Sequence, residues 1–192
     1  MRKDVKSKRH ARTVYWYAAE GAVTERHYMG FINSLLRNSL ATVQPMPVRK
    51  NDPKNLLKSV KAHEKGRGKG DHLCLIFDRD AWPEDQLKLI EKWVADNSAR
   101  HHAAMTKPCF ELWLLPHFEE VSGRTLEQCK RRLAELGVYD SPKSKAPDMS
   151  RFSKGMVLEA IRRANRLGDS GFCCALDIAK LLEEILACRE GK

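Results

Sequence analysis

The sequence predicts an α/β sandwich around a mainly parallel sheet, with a helical C-terminal region. Two patterns carry this expectation. "YWYAA" (15–19) and "HLCLIF" (72–77) are apolar at nearly every position, the mark of strands buried on both faces. Between and after them, apolar residues recur three and four positions apart, as on the packed side of a helix.

The first strand ends on Glu20-Gly21, where glycine lets the backbone turn tightly or a ligand approach closely. Thr24 is placed to cap the first helix, with Glu25 in its first turn. Tyr28, Phe31, Ile32, Leu35 and Leu36 follow along its buried side. "TVQPMPV" (42–48) reads as an edge strand, since its prolines exclude it from a central position. Asp52-Pro53 starts a second helix carrying Leu56, Leu57 and Val60. "KGRGKGD" (65–71) is a basic, glycine-rich loop before the second buried strand. Pro83 opens a helix with Leu87, Ile90 and Val94 inward, and a short strand near His102–Met105 follows. Thr125 and Gln128 form a capping box ahead of Leu126, Cys129, Leu133 and Leu136 on one face. Helices over about 154–167 and 175–188 complete the chain. The expected organisation is a basic tail (1–12), an α/β domain (13–120) and a helical extension packed on it (121–192).

With 192 residues, 42% of them apolar, the chain can bury a substantial core as one compact unit. Thirty-five Lys and Arg against 25 Asp and Glu leave a net charge of +10, which favours a polyanionic partner, above all nucleic acid. A generally basic proteome would give the same balance. Met1–Arg12 has no apolar core of a signal peptide, and no apolar run approaches the roughly 20 residues a bilayer requires. The expected location is the cytoplasm, without a membrane partner. None of the six cysteines forms a C-x-x-C pair, so reduced thiols without zinc are expected. There is no P-loop motif, which excludes ATP hydrolysis by that route.

The chemistry concentrates in acids that follow apolar strands. Asp78 and Asp80 in "FDRDA" stand two apart at a strand end, so their carboxylates can point the same way. Hard oxygen donors of this kind suit Mg²⁺. Parallel sheets place ligands at the carboxyl ends of their strands, so Glu20 converges with this pair if both strands run parallel. Acids gathered on one edge of a basic protein repel one another unless a cation lies between them. Read alone, D-x-D is equally ordinary turn chemistry.

Three longer stretches carry a resemblance. "AAEGAVTERHYMGFI" (18–32), "LIFDRDAWPEDQL" (75–87) and "TKPCFELWLLPHFE" (106–119) resemble, in order, the signature blocks of the RloB family. That family is Toprim-related and associated with abortive infection of phage-attacked cells, often beside an AAA-family ATPase. The blocks span about the first two-thirds of the chain; the C-terminal helices carry no such likeness. Lys107 stands where the family usually has Asn, and Pro116 where it has a further apolar residue, which touches substrate contacts more than the acids.

The resemblance implies a Toprim-like fold and a Mg²⁺-dependent (or Mn²⁺-dependent) nuclease. Glu20 would be the general acid/base, and Asp78 and Asp80 would hold the metal. Glu25 and Glu111 match further acids of the family blocks. Glu25 serves equally well as a complement to its helix N-terminus. Glu111, among Phe110, Leu112 and Trp113, needs a metal, a Lys or Arg, or backbone N–H groups as partner. Arg79, Lys107, Arg67 and Lys69 are candidates for phosphate contact, with a solvated surface as the alternative for each. The competing function is a non-catalytic subunit that binds nucleic acid or the ATPase through a vestigial acidic site. DNA or RNA as substrate, and oligomeric state, stay open.

Overall fold

The computed structural model describes residues 12–48, 50, 52–68, 70–79, 82–121, 124–167 and 176–188. Four strands, β1 (Thr13–Ala19), β2 (Ala41–Pro45), β3 (His72–Asp78) and β4 (His101–Thr106), form one sheet in the order β2-β1-β3-β4. Every neighbouring pair is parallel. The fold is thus an α/β sandwich of Rossmann-like type, and β2, with Pro45 at its end, lies at an edge.

The doubly apolar strands are explained by which helices cover each face. Leu73, Leu75 and Phe77 of β3 pack with Leu56, Leu57 and Val60 of α2 (Pro53–Glu64) and with Leu87, Ile90 and Trp93 of α3 (Glu84–Asp96). The alternate residues Cys74 and Ile76 join Tyr15, Tyr17 and Ala104 on the other face. That larger cluster runs without a break into α1 (Thr24–Leu35), α4 (Phe110–Leu114), α5 (Leu126–Glu135), α6 (Lys154–Leu167) and α7 (Leu176–Ala187). Trp93 and Trp113, each 2% exposed or less, anchor the two faces.

Connection β1–α1–β2 uses one face, whereas α2 and α3 carry the chain back across the other. The switch follows from handedness: right-handed parallel crossovers must change face when the direction of strand addition reverses. Reversal occurs beside β1, so a crevice opens between the carboxyl ends of β1 and β3.

Several local signals act as their chemistry requires. Asp52 accepts the Asn55 N–H at 3.2 Å to cap α2. Thr125 and Gln128 exchange side-chain and backbone hydrogen bonds at the start of α5. Gly137, at φ 70, closes that helix, and the Val138 N–H reaches the Leu133 carbonyl. Pro116 falls in the 3-10 turn Leu115–His117 that ends α4, consistent with its missing N–H.

Three expectations need correction. Thr24 does not cap α1; it is the first helical residue, and its hydroxyl donates to the Lys145 carbonyl at 3.0 Å. The N-cap position falls to Val23, whose side chain has no oxygen to accept a first-turn N–H. Leu126 is 42% exposed, so the buried side of α5 is carried by Cys129 and Leu133. On α3, Trp93 rather than Val94 is fully buried, a one-position rotation of the inward stripe. Cys74, Cys109, Cys129 and Cys188 are free thiols, while Cys173 and Cys174 lie outside the described residues. No described helix is long and apolar enough to cross a membrane.

His117 is a buried neutral group beneath α4. Its Nε2 lies 2.9 Å from the Tyr28 hydroxyl and its Nδ1 3.1 Å from the Leu114 carbonyl. Burial pushes its pKa down from 6.5 to about 3. The unfolded chain therefore takes up this proton first, and stability is lost as pH falls from 6.5 towards 3. The loss expected is on the order of 4 kcal/mol. Denaturant titrations at pH 7 and 4 check it: His117→Gln should flatten the wild-type decline on this limb.

Candidate active site

Glu20 and Asp78 stand at the carboxyl ends of the adjacent strands β1 and β3, at the crevice left by the change in strand direction. Their side chains take different sides of the sheet. Glu20 Oε2 accepts the Trp82 indole N–H at 2.8 Å and the Asp78 backbone N–H at 3.2 Å, which turns it towards the α2/α3 face. Trp82 is itself fixed against Phe77, with ring centroids 4.4 Å apart. Asp78 instead accepts the Thr106 hydroxyl at 2.5 Å, from the end of β4.

Asp78 lines a cavity of about 320 Å³ with Gly21, Thr24, Glu25, Cys109, Glu111, Lys130 and Lys145. Glu25, 5% exposed, folds back from the first turn of α1 so that its Oε1 accepts the Gly21 N–H at 3.1 Å. This gives the Glu-Gly ending of β1 its physical reason. A Cβ on residue 21 would overlap the Glu25 carboxylate, so glycine is required for the close approach of another side chain of the same protein. Glu111, 9% exposed in the first turn of α4, is 3.6 Å from Lys130 Nζ of α5.

The electrostatics are those of crowded carboxyls. Burial pushes Asp78 up from 3.8 to about 7; Glu25, Glu111 and Glu20 add to the rise, and the Thr106 hydrogen bond opposes it. Burial likewise pushes Glu25 up from 4.5 to about 7, with Glu111 and Glu20 adding and the Gly21 N–H opposing. Two carboxyls of one cavity are thus held near neutrality by burial and by the acids around them. Such a site gains from a divalent cation, which replaces mutual repulsion with attraction and favours the ionised form of each donor. All four acids offer the hard oxygens that Mg²⁺ takes. Asp78, Glu25 and Glu111 line the cavity and Glu20 lies on the other side of the sheet end, so the four do not meet at a point: among the described residues, the one trio bringing donor atoms within 4.8 Å of one another is elsewhere.

Asp80 and Lys69, expected at the metal and at phosphate, lie outside the described residues. Arg79 is turned away from the cavity and pairs with Glu84 at 3.1 Å on the α3 side. Arg67 belongs to the opposite edge, before β3, where its guanidinium lies 3.8 Å above the Trp16 ring. Lys107 is exposed just after β4 and does not line the cavity. The cations that do are Lys130, which the sequence did not single out, and Lys145, which it held only as part of a basic segment (143–154) expected at the phosphate backbone. The nearest signal was the lysine-rich 141–154 segment, which includes Lys145.

Glu111→Gln separates structure from chemistry at this position. With its charge paired to Lys130 at the cavity wall, we expect metal affinity and activity to fall about tenfold, with little change in melting temperature. A lower melting temperature with unchanged activity per folded molecule would make Glu111 a structural ion pair.

Comparison with curated proteins and with solved structures gives no significant match. A family model described as RloB-like protein matches residues 16–185, which includes all four strands except the start of β1 and the described helices up to the last turn of α7. On a match over most of its length, the chain belongs to the RloB-like family.

Proposed function

We propose that this chain is a Mg²⁺-dependent nuclease of Toprim type, acting on phosphodiester bonds in an abortive-infection response. The observation that carries the reading is the acid-lined cavity at the switch point, where Asp78 and Glu25 are both held near pKa 7 beside two lysines. Asp78, with Glu25 and Glu111 as accessory acids, would hold the cation. Bound there, Mg²⁺ or Mn²⁺ supplies polarisation of a phosphate and of an attacking water. Glu20, oriented by Trp82 and the Asp78 N–H, is the proton-transferring group in this reading. Lys130 and Lys145 neutralise the charge of a phosphate entering the cavity.

One observation favours a second reading, a non-catalytic subunit docking on nucleic acid or an AAA-family ATPase. Glu20 and Arg79 are both committed to protein partners, as in a site no longer used for chemistry. Incubation with plasmid, single-stranded DNA and RNA, with and without Mg²⁺ or Mn²⁺, separates the two. Cleavage that needs the metal and disappears in Asp78→Ala supports the nuclease. Metal-independent binding without cleavage, alone and with the ATPase partner, would overturn it.

A further inference from the structure

At the other end of the sheet lies a cluster that the nuclease reading does not use. His72 opens β3, and His102 is the second residue of β4. The β3–β4 register pairs His102 with Cys74, which puts the two histidines diagonally on the face covered by α7. Their rings stack, with centroids 5.1 Å apart and planes 15° apart. His72 Nδ1 is 2.9 Å from His102 Nε2 and 3.2 Å from Glu184 Oε1 of α7. One donor atom from each of the three residues falls within 4.8 Å of the others.

We propose that His72, His102 and Glu184 form a binding site for a zinc-class divalent metal, tying α7 to β3 and β4. Two imidazoles and a carboxylate are a donor set that Zn²⁺ and its neighbours Co²⁺ and Ni²⁺ accept, leaving one position open to water. Bonds of about 2.1 Å at tetrahedral angles hold donors roughly 3.4 Å apart, a spacing that the 2.9 and 3.2 Å separations approach and that the third, within 4.8 Å, reaches by a shift of the Glu184 carboxylate. Mg²⁺, which prefers oxygen donors, is a poor fit.

Two surrounding features support the assignment. The Tyr15 hydroxyl donates to Glu184 Oε1 at 3.0 Å, and its ring stacks on His72 at 4.3 Å, so both ligands are oriented from outside. Glu184 is 43% exposed and the histidines 16% and 14%, so an ion has a path from solvent. The ligands come from three elements far apart in sequence, which is why no spacing motif announced them.

Because the site joins a helix to a sheet, bound metal stabilises the docked arrangement. The test uses the full chain without an affinity tag of histidines, stripped by chelation and reloaded with Zn²⁺. We expect about one zinc per chain after gel filtration, a melting temperature raised by several degrees, and a Co²⁺ spectrum of tetrahedral type. Glu184→Gln and His102→Gln should weaken zinc retention at least about tenfold and remove the thermal shift. Asp78→Asn, at the opposite edge, should leave both unchanged, so the outcome is independent of the nuclease reading. Folded wild-type protein that retains no zinc, or equal retention in both variants, overturns the proposal. If His102→Gln fails to fold, Glu184→Gln, at a half-exposed position, decides alone.

Discussion

Asp78→Asn should abolish metal-dependent cleavage and, in the same protein, raise thermal stability above pH 7. If the cavity is the proposed nuclease centre, removing one of its carboxylates is expected to lower the rate at least about a hundredfold. The stability gain follows from linkage. Asp78 has a folded pKa raised from 3.8 to about 7 by burial and by its acidic neighbours. Between those values the native state holds a proton that the unfolded chain has lost, so stability falls as pH rises through the window. Above pH 7 the native protein carries the full cost of an ionised, partly buried carboxylate, on the order of 2 kcal/mol after allowing for its partial exposure. Asparagine keeps the shape and the link to Thr106 without the charge. In chelator, the variant should melt several degrees above wild type at pH 8 and together with it near pH 4. Mg²⁺ should narrow the gap at pH 8 by stabilising the wild type alone. Cleavage surviving in the variant would remove Asp78 from the chemistry. Coincident melting at pH 8 would mean that the carboxyl is not strained by its surroundings.

Gly21→Ala should impair the same site while leaving every acid in place. A methyl group at residue 21 occupies the space of the Glu25 carboxylate and forces it off the Gly21 N–H. The obstruction is the tip of a side chain, which can swing, so the fold should survive with a loss of about 1 kcal/mol from the hydrogen bond. Activity should drop at least about tenfold, because a donor displaced by an ångström no longer fits a preorganised centre. A double-mutant cycle makes the cause explicit. In a Glu25→Ala background the added methyl meets no carboxylate, so Gly21→Ala should have almost no further effect on stability or rate. Full additivity of the two changes would show that the glycine matters for its backbone rather than for Glu25.

Much of this was written into local sequence. Strands apolar on both sets of alternating positions required a sheet covered on both faces, and the helical stripes between them required parallel crossovers. The caps at Asp52 and Thr125 act within one turn, so they were legible without tertiary information. Glu20 and Asp78 could be placed at one edge because a parallel sheet puts all its carboxyl ends together.

Tertiary structure decided what depends on residues distant in the chain. Thr24, the first residue of α1 rather than its cap, donates to the Lys145 carbonyl, a partner no pattern near residue 24 contains. Lys130 and Lys145 reach the cavity because α5 and the segment after it fold back over the end of the sheet, while Arg67, in an equally basic stretch, ends at the opposite edge. Charge runs report composition; only the fold assigns each charge to an end of the sheet. The near-neutral carboxyls have the same origin. Asp78 and Glu25 titrate near 7 because packing removes water from both and crowds them with Glu20 and Glu111, and burial is a property of the assembled protein.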